Sequence, residues 1–118
     1  MMVKTLDIGP RVIDFVIASV RNVGCYPPRM HGWNIVPTDD SADFYSPSTL
    51  WEQGGPIIEE AGIEIRKIRT EHAMAWRAVS FDNVTKAYGP TPLIAGMRCF
   101  VAQKLDYEIE IPDGLATA

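Results

Sequence analysis

Imidazole is the side chain that titrates nearest neutral pH, so the two histidines are the natural place to begin. His31 lies a few residues before Asp39 and Asp40, and His72 directly follows Glu71. A general base needs a partner at hydrogen-bond distance, and neither spacing fixes one. The chain has no serine nucleophile motif, no H-E-x-x-H and no G-K-[ST] phosphate loop. Catalytic residues are therefore not assigned: His31 reads as a loop residue and His72 as an exposed turn residue. Cys25, His31, His72 and Cys99 do not form the closely spaced pairs from which structural zinc sites draw their ligands. No metal and no cofactor are expected. Cys99, among small and apolar neighbours, reads as a compact hydrophobe.

Other local features bear on binding rather than catalysis. Gly54-Gly55-Pro56 and Gly89-Pro90-Thr91-Pro92 each combine glycine with a helix start, where free N–H groups attract anions. Proline removes several of those donors, and neither site follows a buried strand, so both read as helix junctions. Tyr26, Trp33, Phe44, Tyr45 and Trp51 cluster in sequence with Asp39, Asp40 and Asp43 around them. Aromatic rings with a polar rim recur in protein interfaces and small-molecule pockets. These aromatics, with Gly54 and Gly55, form the candidate binding set. Arg66, Lys67, Arg69 and Arg77 fall in a predicted hairpin and are the candidates for phosphate contact.

Composition narrows the classes. The chain has 118 residues and a net charge of -4, with 47% hydrophobic and 22% charged residues. That balance supports one hydrophobic core and a single domain over 1–118, without disulfides or metal. The acidic excess disfavours non-specific duplex binding by the whole surface, leaving only a local basic patch. Two cysteines without C-x-x-C spacing fit a reducing compartment. The apolar stretch over 12–20 is interrupted by Asp14 and is too short to span a bilayer. We expect a soluble cytoplasmic protein with no membrane association.

The elements that must position these residues follow from periodicity. Ile13, Val16, Ile17 and Val20 fall at i, i+3, i+4 and i+7 and predict a helix over 10–22, with Pro10 in its first turn. Val12, Phe15 and Val23 widen the stripe, so this helix is either deeply buried or shared with a second subunit in a homodimer. Residues 24–47 form an ordered loop rich in proline and aromatics, with a short strand near 33–36. Ser48 caps a short helix around Leu50 to Glu52; Gly54-Gly55 breaks it, and Pro56 begins another over 57–61, closed by Gly62. Ile63 and Ile65 alternate with charged residues as a strand, and Ile68 off the alternation predicts a bulge near Lys67. A second strand over 73–81 completes a hairpin, with Glu71 and His72 in its turn. Residues 83–89 read as a connection. Thr91 and Pro92 open a helix to about 105, and Tyr107, Ile109 and Ile111 alternate as a last strand. The resulting class is α+β: a small antiparallel sheet of three to four strands, two longer helices packed on one face, and short helices in the connections.

Two longer runs carry a resemblance. S-P-S-T-L-W-E-Q-G-G-P-I-I-E over 46–59 and A-Y-G-P-T-P-L-I-A-G-M-R-C-F-V over 87–101 resemble the NinX-like family of small bacteriophage and prophage proteins. The opening around Val3-Lys4-Thr5 and the ending over 109–112 are similar too. The resemblance implies a phage or prophage gene expressed in the bacterial cytoplasm. It carries over no catalytic residue, because the family has no established activity, and association with nin-region genes is not mechanism. Three functional readings follow. The first is a non-enzymatic accessory protein that binds a host or phage protein, as a homodimer through helix 10–22. The second is a nucleic-acid accessory factor using the basic face of the 63–81 hairpin. The third is a small-ligand or enzymatic domain with a pocket near Trp33, Trp51 and Gly55. The sequence names neither partner nor ligand.

Overall fold

The computed structural model describes residues 2–21, 46–69 and 74–111. In chain order its elements are β1 (Met2–Lys4), a 3-10 turn (Thr5–Asp7), α1 (Pro10–Val20), α2 (Trp51–Ala61), β2 (Glu64–Arg69), β3 (Met74–Val79), β4 (Lys86–Gly89), α3 (Pro92–Lys104) and β5 (Glu108–Glu110). Among the described residues these strands make a three-stranded antiparallel sheet in the order β2-β3-β4 and a two-stranded pair, β1-β5. The fold is a small α+β fold. The strand expected near 33–36 and the hairpin turn at Glu71 and His72 lie outside the described residues.

α3 is the element around which the rest is arranged. Thr91 caps it, its hydroxyl accepting the Ile94 N–H at 3.1 Å, and Pro92 occupies the first turn, where no N–H is needed. Most of the helix is buried: Leu93, Ala95, Met97, Cys99, Phe100 and Val101 all belong to the core. It packs against all three strands of the sheet and against both α1 and α2. In the α1 stripe Val12, Ile13, Val16, Ile17 and Ala18 are buried and Phe15 is half-buried, while Val23 lies outside the described residues.

Three local expectations are corrected. Residues 51–61 are one helix: α2 runs through Gly54, Gly55 and Pro56, with Pro56 inside it. Pro56 and Glu52, whose carbonyl Pro56 cannot satisfy, both face solvent, so water can take the place of the missing donor. Gly62 does close the helix, in the left-handed conformation at φ 68°. Lys67 carries no bulge, because β2 pairs with β3 in unbroken register from Glu64↔Val79 to Arg69↔Met74. Ile68 instead points to the face opposite Ile65. Within 83–89, Lys86–Gly89 is a strand, paired with β3 through Ala78↔Ala87 and Trp76↔Gly89. β1, for which the short opening held no periodic signal, pairs with β5 through Val3↔Ile109.

Candidate functional site

The site is built from a buried carboxylate outward. Asp14 lies on the core side of α1, only 4% exposed. Its Oδ1 accepts the Ser48 backbone N–H at 2.9 Å and its Oδ2 accepts the Ser46 hydroxyl at 2.9 Å. The Ser48 hydroxyl donates to the Pro10 carbonyl at 3.3 Å, and the Ser46 hydroxyl also meets Thr49 Oγ1. These bonds hold residues 46–49 against α1, and Ser46 N–H donates to the Gln53 side chain, joining the segment to α2. Burial raises Asp14 to about 6, more than its hydrogen bonds from Ser48 and Ser46 lower it. Both oxygens are committed to the protein itself, so this carboxylate positions a loop. Sequence reading took Asp14 only as an interruption of an apolar run; a lone acid on the buried face of a helix was the signal available.

The loop it fixes is one wall of a cleft. Ser48, Thr49 and Trp51 from the start of α2 face Thr91, Pro92, Leu93 and Ile94 from the start of α3 across an open space of about 250 Å³. Close approach of the two walls depends on Gly54, where a Cβ would lie 2.2 Å from the Pro47 carbonyl oxygen and 2.7 Å from Leu93 Cδ2. Trp51 stands 57% exposed at the mouth beside Leu50. The lining is apolar with a few hydroxyls, and Thr91 Oγ1 is already engaged by Ile94 N–H. The cleft brings together the two sequence runs, 46–59 and 87–101, that lie far apart in the chain. The remaining residues of those runs serve packing: Gly96 admits Ile58 and Ile65 against α3, and Gly89 lies against the Ala95 backbone. Arg98 Nε and Nη1 donate to the Ile8 and Tyr88 carbonyls at 2.9 and 2.8 Å.

Of the candidate binding set, Trp51 lines the cleft, Gly54 shapes it from behind, and Gly55 is not in the lining, though a Cβ there would lie 3.7 Å from the Trp51 ring. Neither glycine is at a helix start, and the Gly54 N–H is spent on the Leu50 carbonyl, so the pair offers no anion site. Tyr26, Trp33, Phe44 and Tyr45, like Cys25, His31 and His72, lie outside the described residues. A second open space of about 280 Å³ lies against β1, the 3-10 turn and the first turns of α1, lined by Val3, Lys4, Asp7, Ile8, Gly9 and Val12.

Strand register divides the basic residues. Arg66 and Arg77 are cross-strand partners on the sheet face away from α3, with Tyr88 next in the same row. Lys67 and Arg69 alternate onto the other side, where the Lys67 ammonium lies 5.7 Å from the centre of the Trp76 ring. Arg66 also pairs with Glu64 at 3.5 Å, which offsets part of its charge. Cys99 is fully buried with its sulfur 3.7 Å from the Thr85 carbonyl, and burial pushes its thiol up to about 11. Among the described residues no cluster of histidine, cysteine or acidic side chains is arranged to hold a metal ion. No helix among them is long and apolar enough to cross a membrane.

Comparison with known families adds one finding. The family model described as Bacteriophage P22, NinX matches residues 9–104, from the residue before α1 to the end of α3, and takes in both walls of the cleft. No curated protein matches the chain.

Proposed function

We propose, from the premise that the chain belongs to the bacteriophage P22 NinX family, that it is a non-enzymatic phage accessory protein working in the host cytoplasm by binding a host or phage protein. The observation that supports this reading is the exposed Trp51 at the mouth of a cleft formed by both family runs. Indole on a rigid helix is the kind of side chain on which binding energy concentrates, since it brings large apolar area at little loss of conformational freedom. The cleft is small and open, better suited to one protruding side chain of a partner than to an enclosed ligand. Asp14 contributes from behind by fixing the loop that carries the cleft wall, and among the described residues the lining holds no carboxylate, imidazole, amine or thiol.

The test is affinity purification of the tagged chain from phage-infected or prophage-induced cells, with and without nuclease, beside the Trp51→Ala variant. A protein partner that survives nuclease and is lost with Trp51→Ala, at unchanged melting temperature, is the expected result. Retention of the partner by Trp51→Ala would refute the cleft as the binding surface.

A second reading is favoured by the row Arg66, Arg77 and Tyr88, which sets Arg77 beside a ring 44% exposed on the outer sheet face, with Arg66 one strand further on. Cations in line with an exposed ring are the ingredients of a single-strand stacking surface. Partners lost on nuclease treatment, together with salt-sensitive binding of single-stranded DNA weakened in Arg77→Ala, would move the assignment there.

A further inference from the structure

The two most exposed large apolar side chains among the described residues are neighbours on one turn: Phe81 at 84% and Val84 at 74%. A single exposed hydrophobe needs no explanation, but two on one tight turn form a local patch. This turn is also held stiffly. Asp82 Oδ1 accepts the Ser80 hydroxyl at 2.5 Å and the Val84 N–H at 3.1 Å. Thr85 N–H donates to Ser80 Oγ at 3.0 Å, while Ser80 N–H and Asn83 N–H donate to the Thr85 and Ser80 carbonyls. Asn83 takes the left-handed conformation, φ 63°, that the reversal requires. Phe81 rests at its base against Gly62, where an added Cβ would lie 3.2 Å from Phe81 Cβ and 3.3–3.5 Å from its ring. The apolar pair is therefore presented in one orientation, with little conformational freedom left to lose on docking.

Acids around the tip outnumber cations by one. Asp82 lies between the two hydrophobes, Glu64 sits in register with Val79 at the base of the hairpin, and Glu59 and Glu60 occupy the last turn of α2 before Gly62. Lys86 is the cation in register there, Arg21 reaches Glu60 at 3.5 Å and Arg66 reaches Glu64 at 3.5 Å, which leaves Asp82 at the tip and Glu59 as the acids outside these ion pairs. An apolar knob with a net acidic rim is complementary to an apolar pocket edged with lysine or arginine.

We propose that the β3–β4 turn is a docking knob, in which Phe81 and Val84 enter an apolar, basic-rimmed pocket on a partner protein. This second surface rests on the protein-binding reading above but is separate from the Trp51 cleft. The experiment places a photo-crosslinking benzophenone amino acid at position 81 in one chain and at position 51 in another, each in prophage-induced cells. The crosslinked protein is then identified, purified and titrated by calorimetry against the wild-type chain and a Phe81→Ser/Val84→Ser variant. The expected result is a position-81 crosslink to one protein other than this chain. Its affinity falls at least about tenfold in the double variant, whose melting temperature is unchanged, and weakens as salt rises. A crosslink only to a second copy of the chain, no crosslink at 81, or undiminished affinity of the double variant overturns the knob. A position-51 crosslink in those cases leaves the protein-binding reading standing, whereas failure at both positions removes both.

Discussion

Asp14 has both carboxylate oxygens engaged by residues 46–48 and is held near pKa 6, against 3.8 for a free side chain, mainly by burial. Between these values the folded protein keeps a proton that the unfolded chain has released. The stability tied to this group is therefore fully present below about pH 4 and is lost as pH rises through about 6, a change on the order of 3 kcal/mol. Asp14→Asn keeps an acceptor for the Ser48 N–H and removes the charge. Its urea midpoint should match or exceed wild type at about pH 8 and lose that advantage at about pH 4.5, and the difference between the two chains isolates this group. A wild-type advantage that grows with pH would contradict the assignment. Gly54 is the other residue on which the cleft depends. Gly54→Ala drives a Cβ into the Pro47 carbonyl, a backbone atom that cannot turn aside, and should cost about 2–4 kcal/mol in thermal or urea unfolding. A near-neutral result would mean that α2 has room to move away from α3.

At the scale of elements, α3 depends on its first turn. Thr91→Ala removes the acceptor for Ile94 N–H and should lower stability by about 1 kcal/mol, read from the denaturation midpoint at unchanged slope. This helix was legible in the sequence because its signals are local: a capping threonine, a proline after it, and apolar residues at helical spacing. α2 was not, because Gly54-Gly55-Pro56 carries the local marks of a break. What keeps the helix continuous is tertiary, the fit of Gly54 against Pro47 and Leu93 and the solvent-facing placement of Pro56. β1 and β4 were missed for a related reason. Strands of three and four residues show little alternation, and their identity lies in the partner they pair with. The site followed the same division. Trp51 stood out as a residue, but the Asp14–Ser48 bond joins positions 34 apart and no spacing rule reports it.

At the scale of the molecule, the exposed residues proposed for binding stand outside the core cluster of the described residues, which makes the functional tests readable. Trp51, Phe81 and Val84 make little of the core, so their truncation should leave the unfolding transition within about 0.5 kcal/mol of wild type. The helix faces behind them tolerate no such change. Met97, with no exposed surface at the centre of α3, is in the core cluster that joins α1, the sheet and β5. The pairing of β1 with β5 has a further consequence, in time rather than space. Thr5, just past β1, donates its hydroxyl to the carbonyl of Asp106, 101 residues away. A ribosome adding about 5–20 residues per second separates the two strands by roughly 5–20 seconds. During that interval β1 is an open strand edge without its mate, so a newly made chain cannot close its ends until synthesis has passed β5.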